Sequence, residues 1–193
     1  MRHRYECASV RGGETMRKRN VLVVSLAIAL VALSVYNMQL STSQYGMDLG
    51  VEIHVDMYHY RDGVLLSHSH HPGTLTTLGQ NWIEDQLGDT PATDPAKWIG
   101  LSNDATGPSA AWIVLPAEIT TNGLARAVGT YVDDGNGSWN ITKTFSVTGT
   151  QSCQLTGLYW ALAGDFLLCA DTFTLVNAEN GDSLEIVWSL SVT

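Results

Sequence analysis

Between Trp139 and Thr148 the side chains alternate almost without exception. Trp139, Ile141, Phe145 and Val147 fall on one phase, and Asn140, Thr142, Thr144 and Ser146 on the other. A strand that points successive side chains to opposite faces has this period, whereas the apolar residues of a helix recur every three or four positions. Leu184, Ile186, Trp188, Leu190 and Val192 repeat the pattern against Glu185, Ser189 and Ser191. Strands with one apolar face need a second layer to cover it. From Trp98 onward, further strand-like stretches are broken by Gly and Asn turns. The expectation is therefore a mainly β domain, an antiparallel, jelly-roll-like sandwich with its main strands in residues 98–193.

The preceding stretch, 51–88, reads as a hairpin followed by the one short helix of the domain. Val51 to Tyr58 alternates, Asp62-Gly63 is a strong two-residue turn, and Val64 to about Ser69 forms the returning strand. Thr77-Leu78-Gly79-Gln80 has the form of a capping box. Leu78, Trp82, Ile83 and Leu87 follow at helical spacing, and Gly88 is placed to supply a left-handed C-terminal cap. The helix would press Trp82 and Ile83 onto a sheet.

Ahead of this domain, Val21 to Leu40 is an uncharged apolar run directly behind Arg17-Lys18-Arg19. Its length is close to the roughly 20 residues that span a bilayer, and the basic cluster predicts a cytoplasmic N-terminus with the rest exported. Residues 1–40 are thus read as a basic leader with a transmembrane or signal helix, and 41–193 as the ectodomain. Met16 offers a compact start, which would leave residues 1–15 as a leader. Ala32-Leu33-Ser34 fits a signal cleavage site, while Val35, Tyr36, Met38 and Leu40 prolong the run as in a retained anchor. Both readings stay open, giving either a cell-membrane protein with an extracellular domain or a secreted one.

Charge narrows the partners. Beyond Leu40 only Arg61, Lys97, Arg126 and Lys143 are basic, and seventeen carboxylates leave the ectodomain near −13. Nucleic-acid binding, which needs a basic surface, is excluded from the expectation. The partners expected are a membrane, through residues 21–40, and other surface proteins or further copies of the chain.

Several side chains are candidates for chemistry. With Asp62-Gly63 as a two-residue loop, counting outward brings His54 opposite His71, with Asp56 on the same face. Two imidazoles and a carboxylate so placed could hold zinc, copper or nickel. A partly exposed polar strand end explains the same residues. Asn136-Gly137-Ser138 and Asn140-Ile141-Thr142 are glycosylation sequons, making Asn136 and Asn140 candidate acceptors in an exported protein. Asp133-Asp134-Gly135-Asn136-Gly137 lacks the spacing and the Glu of an EF-hand and reads as a hairpin turn. Cys153 and Cys169 are the two cysteines of the ectodomain, and export would favour a disulfide between them. A turn at Ala163-Gly164, however, sets Cys169 opposite Leu158, too far from Cys153 to bridge. Of the six tryptophans, Trp139 and Trp188 fall on inward phases, where core packing explains them better than a sugar platform.

The stretch His70 to Leu87, ending Thr-Leu-Gly-Gln-Asn-Trp-Ile-Glu-Asp-Gln-Leu, resembles the start of small uncharacterised β-rich proteins of tailed-phage and archaeal gene sets. Gly100-Leu101-Ser102-Asn103-Asp104-Ala105-Thr106, Glu118-Ile119, Gly123-Leu124-Ala125-Arg126-Ala127 and Asn180-Gly181-Asp182-Ser183-Leu184 continue the resemblance over residues 64–193. It implies a virion or appendage structural module with a β-sandwich core.

No nucleophile elbow, metalloprotease helix or phosphate-binding loop occurs in the sequence, so neither enzymatic activity nor a cofactor is expected. The reading is an exported structural or adhesive surface protein, such as an appendage subunit. A virus or provirus structural protein is the alternative, and a small metal- or glycan-binding module a third.

Overall fold

The computed structural model describes residues 50–88 and 94–193. In chain order the elements are β1 (Val51–Arg61), β2 (Val64–Pro72), β3 (Thr74–Leu75), α1 (Thr77–Gly88), β4 (Trp98–Ser102), β5 (Ala127–Val128), β6 (Thr130–Gly135), β7 (Ser138–Ser146), β8 (Gln151–Tyr159), β9 (Leu167–Ala178) and β10 (Ser183–Val192). They form two five-stranded sheets, ordered β2-β1-β10-β7-β6 and β3-β9-β8-β4-β5, with every neighbouring pair antiparallel. The domain is mainly β, with one short helix among the described residues, as the alternation predicts. The Val21–Leu40 segment lies outside the described residues, and among those residues no helix is long and apolar enough to cross a membrane.

The core lies between the sheets. Val55, Met57, Ile141, Phe145, Ile186 and Trp188 from the first sheet meet Ile99, Leu101, Leu158, Cys169 and Phe173 from the second, all buried. The register aligns Leu190 with Trp139, Trp188 with Ile141 and Leu184 with Phe145, so the two strands read from the alternation share one interior. Lys143 interrupts the apolar phase of β7. It is half-buried, with its ammonium 5.9 Å from the centre of the Phe145 ring, as expected of a side chain with an apolar stem and a charged tip.

The helix starts one residue earlier in its capping than the sequence pattern implies. The Gly79 amide donates to Thr76 Oγ1 at 2.8 Å and the Gln80 amide to the Thr76 carbonyl, so Thr76, not Thr77, is the N-cap. The Thr76 hydroxyl is buried and donates in turn to the Leu167 carbonyl at 2.6 Å, tying the cap to β9. Trp82 and Ile83 pack onto the core as expected, but Leu87 is 72% exposed. Gly88 closes the helix as its last residue and is not among the glycines with positive φ, so it is not a left-handed cap.

The first hairpin decides where the histidines go. Asp62 (φ 51°) and Gly63 (φ 75°) make the expected two-residue turn, and Arg61 faces Val64. Beyond it the pairing slips by one position between His59 and Tyr60, where Leu66 is the extra residue. A bulge of this kind reverses the face to which every later side chain of the strand points. Without it His68 and His70 would point into the core; with it they point outward and Ser69 is buried instead.

Candidate functional site

The outer face of the β1–β2 hairpin gathers imidazoles, a carboxylate and tyrosines, though not in the set the sequence implied. Because of the bulge His71 pairs with Val55 on the inward phase, and His54 pairs with Pro72. The expected His54–Asp56–His71 group therefore does not form. Asp56 instead stands opposite His70, with His68 next along the strand. His68 Nε2 lies 2.7 Å from Asp56 Oδ1, and His70 Nδ1 lies 3.1 Å from both carboxylate oxygens. His54 stacks on His70 with ring centres 5.2 Å apart, and Tyr58 stacks on His68 at 4.3 Å.

The two imidazoles thus serve one acceptor. Burial opposes the charge of Asp56, but the hydrogen bonds from His68 and His70 outweigh it and hold the carboxyl below its ordinary range. Both rings meet at Asp56 Oδ1, from positions about 6–7 Å apart along the strand. No group of three or more metal-ligating side chains suited to a metal ion occurs among the described residues. What the arrangement offers is a row of stacked rings on a sheet face, with imidazole and carboxylate groups to meet a polar partner.

A second constellation escaped the sequence reading. His59, on the opposite phase of β1, is buried, and its Nε2 lies 2.8 Å from Asp182 Oδ2. Arg61 donates to both oxygens of Asp182, at 2.8 and 2.9 Å, and the Glu179 amide adds a bond at 2.8 Å. With all its acceptor capacity in use, Asp182 clamps the first hairpin to the β9–β10 turn. Arg126 forms a comparable clamp. It makes a two-pronged pair with Glu118 at 2.8 and 2.6 Å, lies 3.4 Å over the Tyr159 ring, and reaches the Ala161 and Gly164 carbonyls. The cavity beside it, about 390 Å³, is lined by Glu118, Arg126 and Asp165 among others, but four of the five Arg126 donors are already occupied. Nothing in the local sequence marks either clamp, because their members are up to 123 positions apart.

Cys169 faces Leu158, as the hairpin count places it, and Cys153 faces Val176. Both thiols are free and buried, so the disulfide that export alone would favour is not made, in line with the spacing along the ladder. Burial pushes the Cys153 thiol up to about 12, leaving it a packing residue. Asn136 is exposed at the tip of the β6–β7 turn with φ 53°. Asn140 is half-buried, and its Nδ2 donates to Asp134 Oδ2 at 2.5 Å. Of the two sequons, the turn therefore presents the freer amide. Asp171, on β9, is 6% exposed and keeps Oδ2 without a partner.

An apolar groove opens between the sheets beneath α1. Its two adjoining lobes, about 340 and 320 Å³, share Trp82, Trp139, Leu168 and Leu190 as walls. One lobe extends to Val51 and Val192, the other to Lys97 and Tyr131. Trp139 is thus only partly a core residue, and Trp160, stacked on Trp82 at 5.7 Å, extends the aromatic surface. No family model, no curated protein and no solved structure matches this chain.

Proposed function

We propose that the chain is an exported surface protein, anchored by or released from its Val21–Leu40 segment, whose β-sandwich has a structural or adhesive role and no catalytic one. One observation carries most of this reading. Gly50 and Thr193 exchange backbone hydrogen bonds of 2.9 Å in both directions, so the two ends of the described domain lie at one pole. β1 then runs its 11 residues away from that pole, a distance of about 36 Å at the usual strand rise. The opposite end of the described domain carries the Asp62-Gly63 turn and the β9–β10 turn, held together by Asp182.

The basic cluster before an uncharged apolar run supports export, and the acidic ectodomain suits a soluble exterior. The stacked His and Tyr face of β1–β2 supplies a polar, aromatic contact surface of the kind enriched at interfaces.

The test is topology. Full-length protein should be found in the membrane fraction or the medium, with its β domain digested by protease added to intact cells. Changing Arg17, Lys18 and Arg19 to Glu should block that digestion. Wild-type protein retained in the cytosol and protected from external protease would overturn the proposal.

A further inference from the structure

We infer that the groove beneath α1 binds the single alkyl chain of a fatty acid, with the carboxylate held at Lys97. Both lobes fall within the roughly 300–1,000 Å³ of small-molecule sites, and their shared walls make one elongated path. Gln86 is the one polar side chain lining the lobe that ends at Val192. Gln86 Nε2 and Trp82 Nε1 are buried there without a partner, but the rest of the lining is apolar, so a hydrocarbon chain gains by leaving water whereas a sugar or peptide would strand most of its polar groups.

The head group follows from charge. Four basic residues occur beyond Leu40. Arg61 and Arg126 are taken up by carboxylates, and the Lys143 ammonium lies over the Phe145 ring. Lys97 makes no ion pair among the described residues and lines the other lobe of the groove together with Tyr131. In a domain that otherwise repels anions, an ammonium that no described carboxylate pairs, beside an apolar groove, complements one negative head on one apolar tail.

Trp82 and Trp139 in the walls supply the readout. Full-length protein, held in an amphipathic polymer, is titrated with a dibrominated eighteen-carbon fatty acid, whose bromines quench nearby tryptophan fluorescence. Saturable quenching is expected. Lys97→Met, which keeps the apolar stem, should weaken the fatty acid by about tenfold or more, the worth of a charge-assisted hydrogen bond. The corresponding brominated alcohol should bind wild type and Lys97→Met alike, which separates loss of the head contact from misfolding. Absence of saturable quenching would overturn the inference. So would equal affinity of Lys97→Met and wild type for the acid. Quenching abolished by dimerisation of the protein would assign the groove to a second copy and reject the fatty acid.

Discussion

His59 and Asp182 are 123 positions apart in sequence and meet at 2.8 Å in the interior, with the Asp182 side chain only 1% exposed. The contact joins the first hairpin to the last turn, so the fold closes through it. The Arg61 hydrogen bonds, opposed by burial and aided by the Glu179 amide and His59, hold the Asp182 carboxyl far below its ordinary range. A carboxyl depressed in the folded state stabilises it above the unfolded value, near 3.9, and that stability is lost as pH falls through the folded value. Asp182→Asn should therefore be less stable than wild type at pH 7, and the difference should shrink steadily below about pH 4. Asp182→Ala should cost on the order of 3 kcal/mol at neutral pH, since it strands a buried imidazole and the Glu179 amide. Arg61→Gln should cost less, because the Arg61 side chain is 37% exposed and solvent screens its pair. Thermal melts across pH 2–8 measure all three.

Asp56 gives the same sign at a more exposed site. Removing His68 and His70 together should let its carboxyl rise toward the ordinary value, observed as a shift in its NMR titration midpoint. His71→Ala should leave that midpoint in place, because His71 lies on the opposite phase of β2. An equal response to His71→Ala would mean that the strand runs in the unbulged register.

That register marks the limit of what the sequence discloses. The alternation in β7 and β10 is a property of consecutive residues, and it correctly places Phe145 and Trp188 inside. The Asp62-Gly63 turn is equally local. The bulge at Leu66 is not: it depends on which face of β2 can bear two imidazoles, and that is decided by the second sheet. Thr76 in place of Thr77 as the N-cap has the same origin, because its hydroxyl also satisfies the Leu167 carbonyl on β9. Asp182, Glu118 and Arg126 sit in turns and loops where a charged residue is ordinary, and only their distant partners give them roles.

Thr76→Ala should lose about 1–2 kcal/mol, the usual worth of an N-cap hydroxyl, and the buried Leu167 carbonyl adds to that. Gly79→Ala tests the same junction sterically. A Cβ there would collide with the Leu168 carbonyl oxygen, and backbone cannot swing aside. Circular dichroism and urea melts should find this variant destabilised despite the better helix propensity of alanine.

Asp171 should behave in the opposite sense to Asp182. Burial pushes its carboxyl up, the Thr172 amide and the charge of His71 pull the other way, and burial prevails. A carboxyl raised in the folded state costs stability as pH climbs through the interval between its unfolded and folded values. Asp171→Asn removes that titration. The stability of Asp171→Asn relative to wild type should therefore improve as pH rises from about 4 to 7, and a flat or falling difference would contradict the assigned direction.

The strand phases carry the last prediction. Phe145 and Trp188 are 2% and 0% exposed, while Thr144, the neighbour of Phe145 in sequence, is on the outer face. Phe145→Ala or Trp188→Ala removes a large side chain from an interior built by both sheets. Each should cost about 3–5 kcal/mol through lost transfer energy and a residual cavity, a large part of a typical stability of roughly 5–15 kcal/mol. Thr144→Ala should change stability by about 0.5 kcal/mol or less. Urea melts of a fragment beginning at Ser41 compare them directly. Because the side-chain period of a strand is two, a one-residue error in the register of β7 would exchange the two results. A Thr144→Ala loss equal to that of Phe145→Ala would instead mean that both faces of β7 are covered, in conflict with a sheet that buries only its inner face.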